Sequence, residues 1–197
     1  MKTRFLSLLT LIAFALLASP ASAAVTITFY SHDLRLIDGK NTDFPHAFVM
    51  LDGTDASGAD VHKEFGFSAR HIFINVLWEP VEGALDYDSI TPTYMAEAKR
   101  HFSFTLSDAQ YRAVIEVVRK WASWPQPSYD VDSHNCVTFV KEIAVAVGLA
   151  VSDDKKFVRH PRAFLDDVAA RNARVLAQIQ DQPQQNQANL TKPPISP

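Results

Sequence analysis

The apolar residues of this chain keep one period up to Leu106 and another after it, and that single change limits the possible folds more than any other feature. Before it stand short runs with strand character. Residues 25–30 read Val-Thr-Ile-Thr-Phe-Tyr, 44–51 and 61–67 are apolar-rich, and in 100–106 Phe102, Phe104 and Leu106 alternate. After it, Tyr111, Val114, Ile115, Val118 and Trp121 recur at helical spacing. Strands followed by helices predict an α+β fold, with an antiparallel or mixed sheet covered by helices.

The boundaries follow from local chemistry. Residues 52–60 are crowded with turn formers, so 44–51 and 61–67 are expected to pair as a hairpin. The polar stretch 31–41 reads as a loop, 71–78 as a third strand, and 80–92 as a connection. Within 79–99, prolines with acidic and small residues fit either a surface lid or an inert connection. Ser107 and Gln110 have the form of a capping box, and Pro125 closes the helix they open. A second helix should begin at Ser133 to Asn135 and stop at Gly148. A third should start at Pro161 and present Phe164, Leu165, Val168, Val175 and Leu176 on one side.

The first residues bear on compartment. Lys2 and Arg4 precede a largely apolar run over 5–18, and Ala21-Ser22-Ala23 forms a small-residue cleavage pattern. This is the signature of a secretory signal peptide, too short to span a bilayer. Residues 1–23 are therefore expected to direct export, 24–180 to form one domain, and 181–197, rich in Gln, Asn and Pro, to remain disordered. The protein is expected in the periplasm or secreted, without stable membrane insertion after cleavage. A net charge of −3 offers no basic stripe for phosphates, which argues against nucleic acid as a partner.

An exported chain with a single cysteine calls for a reason, since oxidising compartments favour paired cysteines. Cys136 follows Tyr-Asp-Val-Asp-Ser-His-Asn, where a polar loop turns into an apolar helix. A thiol in a first helical turn meets free N–H groups and the positive end of the helix dipole, which favour thiolate. Cys136 also shares a helical stripe with Val140, Ile143 and Val147, as a buried structural cysteine would. The absent disulfide partner and the polar loop ahead favour a nucleophile.

Its base should stand on a neighbouring rigid element. Among seven histidines, His46 is placed best, opening a strand whose alternate residues Ala47, Val49 and Leu51 supply a core face. On the next strand, His62, Glu64 and Ser68 share the polar side and compete as the group orienting His46. His32, His71, His101 and His160 read as structural or solvent-facing. His134 reads as a loop or capping residue, because side chains adjacent on a helix diverge. No Cys-x-x-Cys, His-Glu-x-x-His, acidic calcium loop or glycine-rich phosphate loop is present, so neither metal nor cofactor is expected.

Pro-His-Ala-Phe-Val-Met-Leu, a second strand ending Phe-Gly-Phe-Ser, and Tyr-x-x-x-x-His-Asn-Cys-x-Thr-Phe-Val opening a helix form a recognisable set. It resembles the circularly permuted NlpC-like branch of the papain superfamily, which includes the lecithin retinol acyltransferase type. There the histidine strand precedes the Asn-Cys helix. The resemblance covers residues 44–149. It implies a papain-like fold, a thiolate nucleophile at Cys136, a general base at His46 and a third polar residue on the following strand. His62 matches that last role best, though a symmetric hairpin about Ala56 would set Gly66 or Phe67 opposite His46 and keeps Ser68 and Glu64 open. Tyr129 is similar to an upstream tyrosine that lines the family's site. The implied activity is that of a cysteine peptidase or amidase, with peptidoglycan peptide as the usual exported substrate. Lipid amide or ester chemistry, to which Trp78, Trp121 and Trp124 would contribute an apolar site, and an inactive papain-like binding module are the alternatives.

Overall fold

The computed structural model describes residues 24–33, 35–37, 41–71, 73–86 and 91–179. The expected leader (1–23) and polar tail (181–197) lie outside the described residues. Seven strands are described: β1 (Ala24–His32), β2 (Arg35–Ile37), β3 (Asn41–Asp43), β4 (His46–Thr54), β5 (Asp60–Ala69), β6 (Gly83–Asp86) and β7 (Lys99–Leu106). The helices are α1 (Pro92–Glu97), α2 (Asp108–Ala122), α3 (Cys136–Ala146) and α4 (Pro161–Arg171), with residues 173–179 helical beyond a break at Asn172. The α+β class expected from the change of period holds.

Five strands form one sheet in the order β6-β5-β4-β1-β7, with every neighbouring pair antiparallel. The hairpin of β4 and β5 forms around the turn-rich segment, pairing Phe48 with Gly66 and Asp52 with His62. The segment expected to be a loop after β1 instead holds the short antiparallel pair of β2 and β3.

Alternation along the strands sends Ile27, Phe29, Val49, Leu51, Phe65, Phe67, Phe102 and Phe104 to one face, where they join the helices in a single core. Helix α3 lies against β4 and β5, α4 against β1 and β7, and α2 against α3. Burying each such side chain contributes about 1.5–3 kcal/mol, so this face fixes the register of the sheet. The opposite face is covered near β4 by aromatic rings. Phe48, fully buried, stacks with Tyr30 at 5.3 Å between ring centroids and meets Tyr94 of α1 at 6.1 Å. Tyr94 also stacks on the buried His32 at 4.1 Å.

Three expectations need correction. Among the described residues of 71–78 there is no strand: Ile74–Leu77 make a 3-10 turn, with Phe73, Ile74, Leu77 and Trp78 exposed. The connection that follows contributes β6, an edge strand of the sheet. The helices match their signals. Ser107 and Gln110 complete the capping box of α2, Asn135 is the N-cap of α3, and α4 begins at Pro161. Val175, expected on the apolar side of the last helix, is exposed.

Candidate active site

The end of the sheet where β4 begins and β5 finishes gathers most of the residues singled out by the sequence. His46 is the first residue of β4, and its Nε2 lies 3.4 Å from Oδ2 of Asp86, the last residue of β6. The Cys136 thiol lies near enough to the imidazole to favour its charged form. Ser68 donates its hydroxyl to the same Asp86 oxygen at 2.6 Å. Thus Ser68 holds the carboxylate, the carboxylate faces the imidazole, and the imidazole faces the thiol.

The sheet register explains how the imidazole reaches Asp86. Phe48 pairs with Gly66, and Gly66 pairs with Asp86 on its other side. His46 lies two residues from Phe48 on the same strand face and reaches diagonally over Gly66. A Cβ at position 66 would come 2.5 Å from His46 Nε2 and 3.1 Å from Asp86 Oδ2. Any larger residue there would push the imidazole off the carboxylate. The Phe48 ring, 5.9 Å from the imidazole and nearly parallel to it, supports the other side.

Cys136 is the first residue of α3 and is buried. Asn135 sets its position by using its whole side chain. Oδ1 accepts from the N–H groups of Val137 at 2.9 Å and Thr138 at 3.1 Å. Nδ2 donates to the carbonyls of Val131 at 2.7 Å and Val158 at 2.8 Å. Thr138 completes a capping box by accepting from the Asn135 N–H at 2.8 Å. The N-cap therefore fixes the first turn of the helix and ties it to two loops.

The electrostatics are those of an ion pair sheltered from water. Burial works against a charge on His46, yet the hydrogen bonds and charges of Asp86 and Cys136 outweigh it and push the imidazole up to about 10. Burial likewise works against the Asp86 charge, while His46 and the Ser68 hydroxyl hold its carboxyl below the usual range. Tyr129 stands nearby, bridged to Val81 just before β6, and its ring stacks on Phe67 at 5.9 Å. Burial, then the Cys136 and acidic charges around it, raise its phenol above the ordinary value.

His62, expected to orient His46, does not stand beside it. It faces Asp52 six residues along β4, with its Nδ1 2.5 Å from Asp52 Oδ1 and its side chain 78 % exposed. The alternation was read correctly, but the pairing register moves His62 toward the far end of the hairpin. Glu64 is buried opposite Met50, and Ser68 reaches the site through Asp86. Asp86 itself was missed, because Gly-Ala-Leu-Asp carries no strong strand signal. The one hint was an acidic residue following an apolar one inside a segment between two strands.

Of the remaining histidines, His71 and His160 are exposed, and His32, His101 and His134 are held by neighbouring side chains or backbone. His134 donates its Nδ1–H to the Ser128 carbonyl at 2.6 Å and stacks on Trp121 with centroids 3.8 Å apart. His101 bridges Ser31 at 2.8 Å and Asp166 at 3.0 Å. Trp121 belongs to the core and donates its indole N–H to Glu142 at 2.9 Å, whereas Trp78 lies on the exposed 3-10 turn. Among the described residues, no group of three His, Cys, Asp or Glu side chains is placed to hold a metal ion, and no helix is long and apolar enough to cross a membrane. No family model, curated protein or solved structure matches the chain.

Proposed function

We propose that this chain is an exported cysteine hydrolase, an endopeptidase or amidase of papain-like, permuted NlpC-like type, acting on amide bonds in peptides such as those of peptidoglycan. The observation that carries the reading is one imidazole that faces a carboxylate held by Ser68 and lies near the chain's single cysteine, at the first residue of a helix. A merely buried cysteine has no need of such a partner.

In this reading Cys136 attacks the substrate carbonyl as thiolate, and the tetrahedral oxyanion is held by N–H groups of the first helical turn. The protonated His46 then gives its proton to the leaving amine, and a thioester on Cys136 remains. Water attacks the thioester, His46 takes the water's proton, and the thiolate leaves. Asp86 positions the imidazole and stabilises its charged form, the role first assigned to His62.

The test is the rate of Cys136 alkylation by iodoacetamide against pH, in the wild type and in His46→Ala, followed by digestion of peptidoglycan stem peptides. Reactivity at neutral pH that moves to higher pH in His46→Ala, with cleavage lost in Cys136→Ala, is the expected result. A thiol titrating near the ordinary value of about 8.5 and indifferent to His46 would leave a papain-like binding module. An activated thiol that spares peptides but releases acyl groups from lipid amides or esters would move the substrate class.

A further inference from the structure

The carboxylate that faces His46 ends an edge strand whose four residues carry little strand propensity of their own. Its position is nonetheless critical. A slip of one residue would turn Asp86 to the other face of the sheet, and a slip of two would carry it about 7 Å along the strand. On its inner side β6 is held by β5. The Arg70 N–H donates to the Glu82 carbonyl at 2.8 Å, so in the antiparallel alternation Glu82, Ala84 and Asp86 turn their backbone groups toward β5. Val81 and Gly83 turn theirs outward.

That outward side is closed by the segment that follows α2. Tyr129 and Val81 exchange both backbone bonds at 2.9 Å. Continued as a strand, this pairing would set Pro127 opposite Gly83, but proline has no N–H to give. The side chain of Gln126 stands in. Its Nε2 donates to the Gly83 carbonyl at 3.0 Å and its Oε1 accepts from the Gly83 N–H at 3.0 Å, the two bonds a strand residue would make. The same Oε1 accepts from the backbone N–H and the hydroxyl of Ser128, both at 3.0 Å, which sets the plane of the amide. Gly83 admits this contact because it has no side chain: a Cβ there would lie 2.5 Å from the Ser128 hydroxyl and 2.5 Å from the Phe67 ring. Ser128 is anchored in turn, its carbonyl taking the Nδ1–H of His134 at 2.6 Å, two residues before Cys136.

We propose that Gln126 is a positioning residue of this site: its amide takes the place of a neighbouring strand along the outer edge of β6 and so holds Asp86 against His46. The inference rests on the reading of Cys136 and His46 as the reactive pair. Gln126 acts at Gly83, three residues before the carboxylate, and is itself exposed, so replacing it leaves the core in place.

The test uses the full chain with Gln126→Met, which keeps the length of the side chain and removes both bonds to Gly83. Two quantities are read in the folded protein, the titration of the His46 ring by NMR and the rate of Cys136 alkylation by iodoacetamide against pH. The ring should titrate below the wild-type value, and alkylation at neutral pH should fall about tenfold, the factor set by one charge-assisted contact. Gln126→Glu still accepts from the Gly83 N–H but cannot donate to its carbonyl, and should move both quantities in the same directions. In an Asp86→Asn background, Gln126→Met should change neither quantity further, because it acts through the carboxylate. A lowered melting temperature with both quantities at wild-type values would make Gln126 a prop of the fold alone and overturn the proposal. Equal effects in the two backgrounds would overturn it as well. A wild-type thiol indifferent to His46 would overturn the reactive pair and this role together, whereas unchanged readings beside a His46-dependent thiol would overturn the role only.

Discussion

At position 66 the absence of a side chain does chemical work. The His46 imidazole crosses the backbone of β5 at a point where a Cβ would lie 2.5 Å from Nε2, so glycine is the residue that lets the imidazole meet Asp86. Gly66→Ala should leave the melting temperature within a few degrees, because only the end of a side chain must yield. It should slow Cys136 alkylation at neutral pH and peptide cleavage by about 100-fold, as expected for a catalytic group displaced by roughly 1 Å. A comparable labelling rate in Gly66→Ala would count against the diagonal arrangement. The same contact can be read directly by NMR. The His46 ring resonances should titrate near 10 in the wild type and move toward 6.5 in Asp86→Asn, which keeps the shape and removes the charge. The residue types of this site, Cys136, His46 and Ser68, were all legible as candidates, because each stands in a polar position of an apolar pattern. The choice among His62, Glu64 and Ser68 was not legible, since a period of two leaves every polar position on one strand equivalent until the register is known.

Elements differ in how far their own sequence specifies them. Helix α3 is written locally, with Asn135 as cap, Thr138 as its reciprocal partner and an apolar stripe behind. Asn135→Ala removes an N-cap and two bonds to half-buried loop carbonyls, so it should destabilise the fold by about 2–3 kcal/mol in denaturant unfolding. Asn135→Asp keeps the acceptor for Val137 and Thr138 but loses the donors to Val131 and Val158, and should fall between the two. Strand β6 is the contrary case. Its four residues lack β-branched side chains, and what makes them a strand is the exposed edge of β5, with which Gly83 to Asp86 pair. Residues 71–78 show the converse. Their apolar content reads as a strand, yet with Val76 alone buried in the turn, local bonds such as Trp78 N–H to the Asn75 carbonyl at 3.1 Å decide the conformation.

For the molecule as a whole, the pair of His46 and Asp86 fastens the start of β4 to the edge strand β6, and its effect on stability has a definite pH window. His46 is raised from 6.5 to about 10 on folding, so its contribution is complete below about 6.5 and is lost as pH rises through about 10. Asp86 is lowered from 3.8, so its contribution is complete above that value and is lost as pH falls through the folded value. Unfolding free energy measured by urea should therefore be greatest between about pH 4 and 6.5 and decline toward pH 10. The alkaline decline should flatten in His46→Gln. An identical alkaline slope in the two proteins would sink the assignment of the raised imidazole.

By itself the sequence determined the α+β class, the hairpin of β4 and β5, the caps of α2 and α3, and the candidacy of Cys136 and His46. These depend on local propensity, on capping chemistry and on periodic burial, which a chain carries wherever it goes. The tertiary structure decided that Asp86 faces His46 and that His62 does not. Those outcomes depend on strand register, on edge pairing and on loops bonded across the sheet's end, where residues 40 to 90 positions apart meet because the core face is satisfied in only one alignment.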